Sequence, residues 1–397
     1  MMFKHLFKMI WNKKKQNFLL ISEMLISFMV IFAVSTLTVY YYNNYNKPRG
    51  FDYEKVWVIN YNNAVKTNNT DSLVMFYENI RKNIQSMPQV QAVSFSSENI
   101  PFAFNTNQTG IDYKKKHVNG VNQYLVEDGY KEVLNVKVLQ GRWFNKQDVV
   151  STNIPVVINE SLKEELFANT NPIGKILGND MNKPKEQRKV IGVVEDMKIA
   201  GDYKPAGPGV YERVDTGAFH WIGSILIKVT PDADATFESK LYKSIAGSMK
   251  NANVEIEHLT DKRKKINSVT LAPTILLLVV ACFLIINVAL GLFGVLWYNI
   301  NKRRAEIGLR RAVGATGRSV SGQLVNESMI LATLSLIIGS FFAIQFPLLN
   351  VFGMPASIYL VALLISIMFI YGLVLVCSLY PAKQAAAIYP AVALHED

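Results

Sequence analysis

The sequence predicts an α-helical membrane protein of four transmembrane helices, with a large α+β extracytoplasmic domain inserted between the first and the second. Three observations predict it. Four apolar runs are each long enough to cross a bilayer, which takes about 20 residues. Lysine and arginine collect beside alternate ends of those runs. Between the first two runs, residues 43–270 switch to short Val- and Ile-rich stretches interleaved with amphipathic ones.

The composition fits such a mixture. Of 397 residues, 50% are hydrophobic and 18% are charged, too apolar for an ordinary soluble protein and too polar for a bare membrane bundle. The formal charge of +11 would suit a nucleic-acid binder. Its basic residues, however, stand beside the apolar runs rather than on an aromatic-interleaved solvated face, so they read as membrane-orienting charge and nucleic acid is not an expected partner. Both cysteines, Cys282 and Cys377, fall inside apolar runs, which leaves the polar region without disulfides.

The spans are expected at 18–42, 271–297, 324–347 and 358–380. Tyr40, Tyr41, Tyr42, Trp297, Tyr298 and Tyr380 sit at interfacial depth. The stretch before the first span resembles a signal peptide, but its apolar run is too long and no small-residue cleavage site follows, so it reads as a retained span. Lys4, Lys8, Lys13, Lys14 and Lys15 precede the first span. Lys302, Arg303, Arg304, Arg310, Arg311 and Arg318 lie between the second and third, and the connection at 348–357 has no charge. Both termini are therefore expected in the cytoplasm and 43–270 outside. The basic run at 262–265 opposes this topology; long domains translocate regardless of charge, and the run reads as a solvated turn at the end of a stalk helix. Within 1–17, Phe3, Leu6, Phe7, Ile10 and Trp11 recur at helical spacing, which predicts an amphipathic helix lying in the inner interface. Residues 381–397 are the expected cytoplasmic tail.

In the inserted domain, β-rich runs predict strands at 55–60, 90–96, 133–139, 155–159, 188–194 and 224–229. Apolar residues at three- and four-residue spacing predict helices at 73–86, 160–167 and 235–249. No catalytic or metal-binding constellation stands out. The five histidines are scattered, and neither GxSxG nor HExxH occurs. Glu195 and Asp196 follow a strand and read as the start of a turn. No Walker A sequence occurs either; Gly174-Lys175-Ile176 lacks the glycine-rich lead-in and the hydroxyl residue that P-loop chemistry needs. The domain reads as a binding or mechanical module.

The segment 298–323 is the most informative. Arg303, Arg304, Glu306, Gly308, Arg310, Arg311, Gly314 and Ala315 are its candidate coupling residues, and Ile307, Arg310, Arg311 and Gly314 make a short helix with a charged face and a glycine stop. It suits either a helix that docks in a partner's groove through Glu306 and the arginines, or a basic loop that serves topology alone. Three polar residues fall within spans. Glu23 and Glu327 lie near cytoplasmic ends and read as polar contacts inside the bundle, and mid-span Asn287 as a hydrogen-bonding cross-link between helices. Gly291 and Gly294 would permit close helix approach.

At 302–315 the sequence resembles the MacB/FtsX-type ABC transporter permease family, in which an (E/K)-R-x-x-EIG-(I/L)-R-x-A-(L/V)-GA stretch follows the second span. Gln323-Leu-Val-Asn-Glu327 and 381–394 resemble the opening of the family's third span and its closing PA-x-x-A-A-x-x-x-P-x-x-AL. In the inserted domain Met87-Pro88-Gln-Val90, Gly141-Arg142-Trp-Phe144, Asn171-Pro172-Ile-Gly174-Lys175 and Val190-Ile-Gly192-Val193-Val194 resemble its MPGV, GR-x-F, NPIGK and VIGVV motifs. Asn301 before the loop motif and the extra charge of Arg311 depart from the pattern.

The resemblance implies a two-lobed domain, the membrane-proximal lobe built from both ends of the insert and a second lobe, about 120–215, inserted between them. It implies a separate ABC ATPase docking near 306–315, with ATP and Mg²⁺ on that partner and no cofactor in this chain. It also implies a second permease chain, identical or paralogous, in an inner (plasma) membrane assembly, and it allows a periplasmic adaptor or outer-membrane component. The expected function is coupling of ATP hydrolysis to motion of the outer domain, for export or extraction of a drug, peptide or lipoprotein. The alternative is a regulator of the same architecture that controls a cell-wall hydrolase or sensor kinase.

Overall fold

The structure is a computed structural model describing residues 14–62, 69–96, 99–151, 153–178, 187–214, 222–249 and 252–388. The amphipathic helix expected over 1–17 lies outside them up to residue 13, as does 389–394 of the closing motif. Helix α1 spans Lys14–Tyr45, and β1 (Val56–Asn62), α2 (Thr70–Gln85) and β2 (Val90–Ser96) follow. Then come β3 (Gln108–Tyr113), β4 (Lys116–Val126), α3 (Tyr130–Leu134), β5 (Val138–Gly141), β6 (Ile154–Asn159), α4 (Glu160–Phe167), β7 (Ile176–Leu177), β8 (Arg188–Val194) and β9 (Gly209–Arg213). Strand β10 (Ser224–Val229), α5 (Ala235–Ser248) and β11 (Asn253–His258) end the insert. The helices α6 (Leu259–Lys302), α7 (Arg304–Ala312), α8 (Gly317–Leu348) and α9 (Ala356–Ala386) complete the described chain. It forms two compact units, 1–43 with 271–397, and 44–270.

In the first unit, four helices are long and apolar enough to cross a membrane: Phe18–Tyr45, Leu259–Lys302, Gly317–Leu348 and Ala356–Ala386. They share a core in which Met24, Phe28 and Phe32 of α1 meet Val288 and Leu292 of α6, Leu336 of α8 and Tyr359 of α9. Small residues let backbones approach. A Cβ at Gly339 would stand 2.4 Å from the Phe28 ring, and one at Gly291 would stand 2.7 Å from the Glu23 carboxylate. Leu276, Val279, Phe283 and Leu290 of α6, and Phe341 and Met368, remain exposed. So broad an apolar surface suits a lipid solvent, where the helix satisfies its own backbone hydrogen bonds.

The inserted unit is one hydrogen-bonded sheet in the order β11-β1-β10-β2-β4-β9-β6-β8-β5, with β3 on β4 and β7 on β8. The first lobe, β11-β1-β10-β2, is antiparallel throughout and comes from both ends of the insert. Strand period 2 assigns its side chains. Trp57, Ile59 and Tyr61 enter one core with Tyr77 and Ile80 of α2 and Phe237 and Leu241 of α5, whereas Val56 and Val58 enter another with Tyr130, Leu134 and Tyr211. The second lobe holds β3 to β9 and α4, and adds two parallel pairs, β4–β9 and β6–β8. A single residue pair, Ser96 with Val126, continues the sheet from one lobe to the other.

The inserted lobe begins at Gln108 rather than near 120, because the β3–β4 hairpin belongs to it. The stretch 133–139, expected as one strand, is the end of α3, a turn and the start of β5. Tyr130, Val133 and Leu134 are buried at helical spacing, and Asn135 ends the helix in the left-handed region at φ 52°. The basic run 262–265 is not a solvated turn but the first turns of α6. There Lys262 pairs with Glu257 at 2.5 Å and Arg263 with Asp202 at 2.8 Å.

The motif glycines have a common cause. Gly141 and Gly192 are partners across β5–β8, and a Cβ on Gly192 would lie 2.1 Å from the Arg142 carbonyl oxygen. The Asn171–Lys175 turn bonds to the same strand, Gly174 N–H to Val190 O and Val190 N–H to Lys175 O. These motifs assemble around β8 by backbone contact.

Gly192→Ala is therefore expected to cost about 2–3 kcal/mol, as overpacking does, and thermal unfolding of the purified chain measures it. Stability should also fall in acid. Asp148, 5% exposed at its side chain, is held below the usual carboxylate range by hydrogen bonds from Arg142, which outweigh its burial, and by the Asn145 N–H. Its folded-state pKa is the lower one, so its contribution is complete above the unfolded value of about 4 and disappears as pH falls through the folded value. Unfolding midpoints should hold between neutrality and about pH 5 and drop below about pH 4, with a smaller drop in Asp148→Asn.

Candidate coupling site

The region between the second and third apolar runs is mostly helix rather than loop. Helix α6 runs on to Lys302, Arg303 breaks it with non-helical angles, and α7 takes up Arg304–Ala312. Gly314 turns the chain at φ 103°, a conformation that favours glycine, and the Ala315 N–H bonds back to the Arg310 carbonyl. Thr316 then caps α8, its side chain accepting the Ser319 N–H.

One face of α7 is fixed. Ile307, 5% exposed, enters a small core with Ile300 of α6, Val320 and Leu324 of α8, and Ala382 and Ala385 of α9, and Gly308 is buried beside it. The charges reinforce that anchor. Arg303 donates to Glu306 at 3.0 Å and to Glu327 of α8 at 3.3 Å. Arg310 pairs with Glu306 at 2.5 Å and donates to Gln323 at 2.9 Å, and Gln323 donates to Glu327 at 3.2 Å. Arg311 donates to the Ala315 carbonyl at 3.5 Å.

Four of the polar groups singled out from the sequence, Arg303, Glu306, Arg310 and Glu327, thus meet with Gln323 and hold α7 against the start of α8. Glu327, 17% exposed at its side chain, takes part through Arg303 and Gln323. Arg304 is partly buried at the first position of α7.

The opposite face is open. Ala305, Leu309 and Ala312 share it, and the neighbouring Val313 is 82% exposed. Sequence reasoning fixed on the charges and passed over Leu309 and Val313. Their signal was the apolar i, i+4 spacing on the uncharged side of a helix whose other apolar residue, Ile307, is buried.

The two remaining intramembrane groups do not join this site. Asn287 donates to the Phe283 carbonyl of its own helix at 2.8 Å, so among the described residues it bonds within its helix rather than across to another; one helical turn is a nearer partner than a neighbouring span. One carboxylate oxygen of Glu23 is buried against Gly291 with no hydrogen-bond partner among the described residues. Gly291 is therefore occupied within the chain. Gly294 faces open space in a shallow cavity of about 250 Å³ beside Phe293, Trp297 and Tyr380. No group of three His, Cys, Asp or Glu able to hold a metal occurs among the described residues.

Comparison with known proteins places this arrangement. Residues 19–241 match the MacB-like periplasmic core domain, and residues 278–390, which include all of α7, match the FtsX-like permease C-terminal domain. The chain is 29% identical over 248 residues to the macrolide export ATP-binding/permease protein MacB of Aggregatibacter actinomycetemcomitans, covering 59% of this chain and 37% of that one. It thus spans well under two thirds of that exporter. It is 23% identical over 331 residues to the ABC transporter permease YknZ of Bacillus subtilis (strain 168), covering 81% of this chain and 79% of that one. The crystal structure of the periplasmic region of MacB from Actinobacillus actinomycetemcomitans superposes with a TM-score of 0.40 and 21% identity, over 57% of this chain and 98% of that one. The periplasmic-core match alone takes in more than half of the residues, and the chain belongs to the MacB/FtsX-type ABC transporter permease family.

Proposed function

We propose that this chain is the permease subunit of an ATP-driven machine whose ATPase is a separate protein docking on α7 from the cytoplasm. The observation that supports this most is the two-sidedness of α7. Ile307 and the Arg303–Glu306–Arg310 network immobilise one face, and Ala305, Leu309, Ala312 and Val313 are left bare on the other. A helix serving only as a basic loop has no use for either feature. A bare apolar strip on a rigid helix is what a partner's groove would bury.

The concentration of Lys and Arg at 302–318 supports the cytoplasmic side for α7, and hence the opposite side for 44–270. ATP and Mg²⁺ then belong to the partner. Paired ATPase sites call for a second permease chain. The inserted domain would do the work on the far side, and export of a macrolide-like drug is the cargo reading that the exporter's name favours.

The geometry redistributes the expected roles. Glu306 and Arg310 pair with each other on an exposed surface, where such a pair contributes about 0.3–0.5 kcal/mol. Removing both should weaken docking only a few-fold. Replacing Leu309 and Val313 by Asp together should reduce co-purification of the ATPase by at least about tenfold, because it puts two charges where apolar area is buried. The test is a mild-detergent pull-down of the tagged chain with an ATP-turnover assay, alongside a check that the variant still inserts and folds. A well-folded wild-type preparation with no associated P-loop ATPase would overturn the reading. Chained or swollen cells on deletion, without altered drug or peptide sensitivity, would favour the wall-regulator alternative.

A further inference from the structure

The loop between β8 and β9, residues 195–208, belongs to the inserted lobe by sequence. Its residues 198–203 nevertheless bind the two segments by which the chain enters and leaves the inserted unit. Asp202, 3% exposed at its side chain, accepts from Arg49 at 3.0 Å, from Arg263 at 2.8 Å and from Asn267 at 2.6 Å, and its own N–H donates to the Asn267 side-chain oxygen at 3.0 Å. Arg49 belongs to the segment that follows α1; Arg263 and Asn267 belong to the first turns of α6. The two guanidinium groups lie 4.4 and 4.8 Å from the centre of one ring, Tyr53, and Arg263 also donates to its hydroxyl at 2.8 Å.

Four residues earlier in the loop, the buried ammonium of Lys198 donates to the Asn44 carbonyl in the last turn of α1 and to the Lys47 carbonyl at 3.4 Å. A cation there satisfies carbonyls that the helix end leaves open and meets the negative end of its dipole. The Lys198 N–H adds a bond to the Arg49 carbonyl, and Tyr203 stacks on Tyr45.

We propose that Asp202 and Lys198 are positioning residues that lock the entry segment 44–53 and the exit segment 263–267 into one lever attached directly to the inserted lobe. One buried carboxylate holds two arginines that would otherwise repel each other across a single ring. Without it the junction separates rather than merely loosening. The lock gives the inserted lobe an attachment to both crossings that bypasses the first lobe. The lobes also meet through a shared apolar core, in which Val56 and Val58 pack with Tyr124 and Tyr211, and through the Arg81–Glu127 ion pair, but neither of these involves Arg49, Arg263 or Asn267. The mechanical meaning of the lock rests on the permease reading; the lock itself does not.

Hydrogen exchange of the full chain in detergent tests both levels. Asp202→Asn should speed exchange of 44–53, 198–203 and 263–270 by about tenfold or more and leave β6 and β10 unchanged. Arg49→Met should free 44–53 alone, and Arg263→Met should free 263–270 alone. Uniform acceleration across the unit, or no acceleration in any variant, overturns the lock. In the chain purified with its ATPase, ATP against ADP should alter exchange at both 263–270 and 198–203 in the wild type. In Asp202→Asn the response should persist at 263–270 and vanish at 198–203; persistence at both overturns the lever. A wild type that forms the lock but shows no nucleotide response anywhere counts against the permease reading and not against the lock.

Discussion

The pairing of β1 with β11 is the constraint on which the inserted unit depends. A domain inserted between two consecutive helices must bring its ends together, and here the first and last strands are antiparallel neighbours from Trp57–His258 to Asn62–Asn253. The Trp57 and His258 rings stack 4.6 Å apart at the end of the ladder where β11 runs into α6. Closing the ends in this way forces the first lobe to be discontinuous in sequence. Everything between β2 and β10 is then free to form a second lobe, because the closed first lobe already contains two helices and a core of its own.

The same constraint explains the use of charge at the base of the unit. On the topology expected from the sequence, the four positive residues at 262–265 stand on the side that basic residues usually avoid, and a solvated turn would be the simplest way to tolerate them. The fold instead gives each of them a partner, Lys264 pairing with Asp261 at 3.1 Å. Lys262 takes Glu257, Arg263 takes Asp202 and Tyr53, and Lys265 stands 5.6 Å from the Phe104 ring. Asp202 lies far away in sequence, so no local pattern could reveal that a buried carboxylate awaited Arg263.

Much of the fold was legible because the strongest signals were local. Apolar runs of transmembrane length, and strands such as Ser224–Val229 with apolar Ile225, Leu226, Ile227 and Val229, report their state without tertiary help. Strands β4 and β11 were illegible for the opposite reason. In β4 the inward residues Val118, Val121 and Tyr124 are separated by polar residues and by Gly120, and a bulge spoils the alternation. In β11 only Val254 and Ile256 are apolar. Neighbouring strands supply the rest of their burial. The stretch 133–139 misled because Val133, Leu134, Val136 and Val138 look β-like in composition, whereas the left-handed turn at Asn135 is a backbone event that composition does not announce.

At the candidate coupling site the sequence located the helix but not its exposed apolar strip. Charged residues draw the eye because they are rarer than alanine and leucine in such a segment. Distance decides otherwise. Glu306 has Arg303 and Arg310 within 3.0 Å, and Glu327 has Arg303 and Gln323 within 3.3 Å, so these carboxylates are committed inside the chain before any partner arrives. A partner's charge competing for Glu306 or Arg310 would exchange one exposed ion pair for another, with little net gain. Burying Leu309 and Val313 breaks nothing. The charges set the orientation of α7, and the apolar strip between them is the part still open to an interaction.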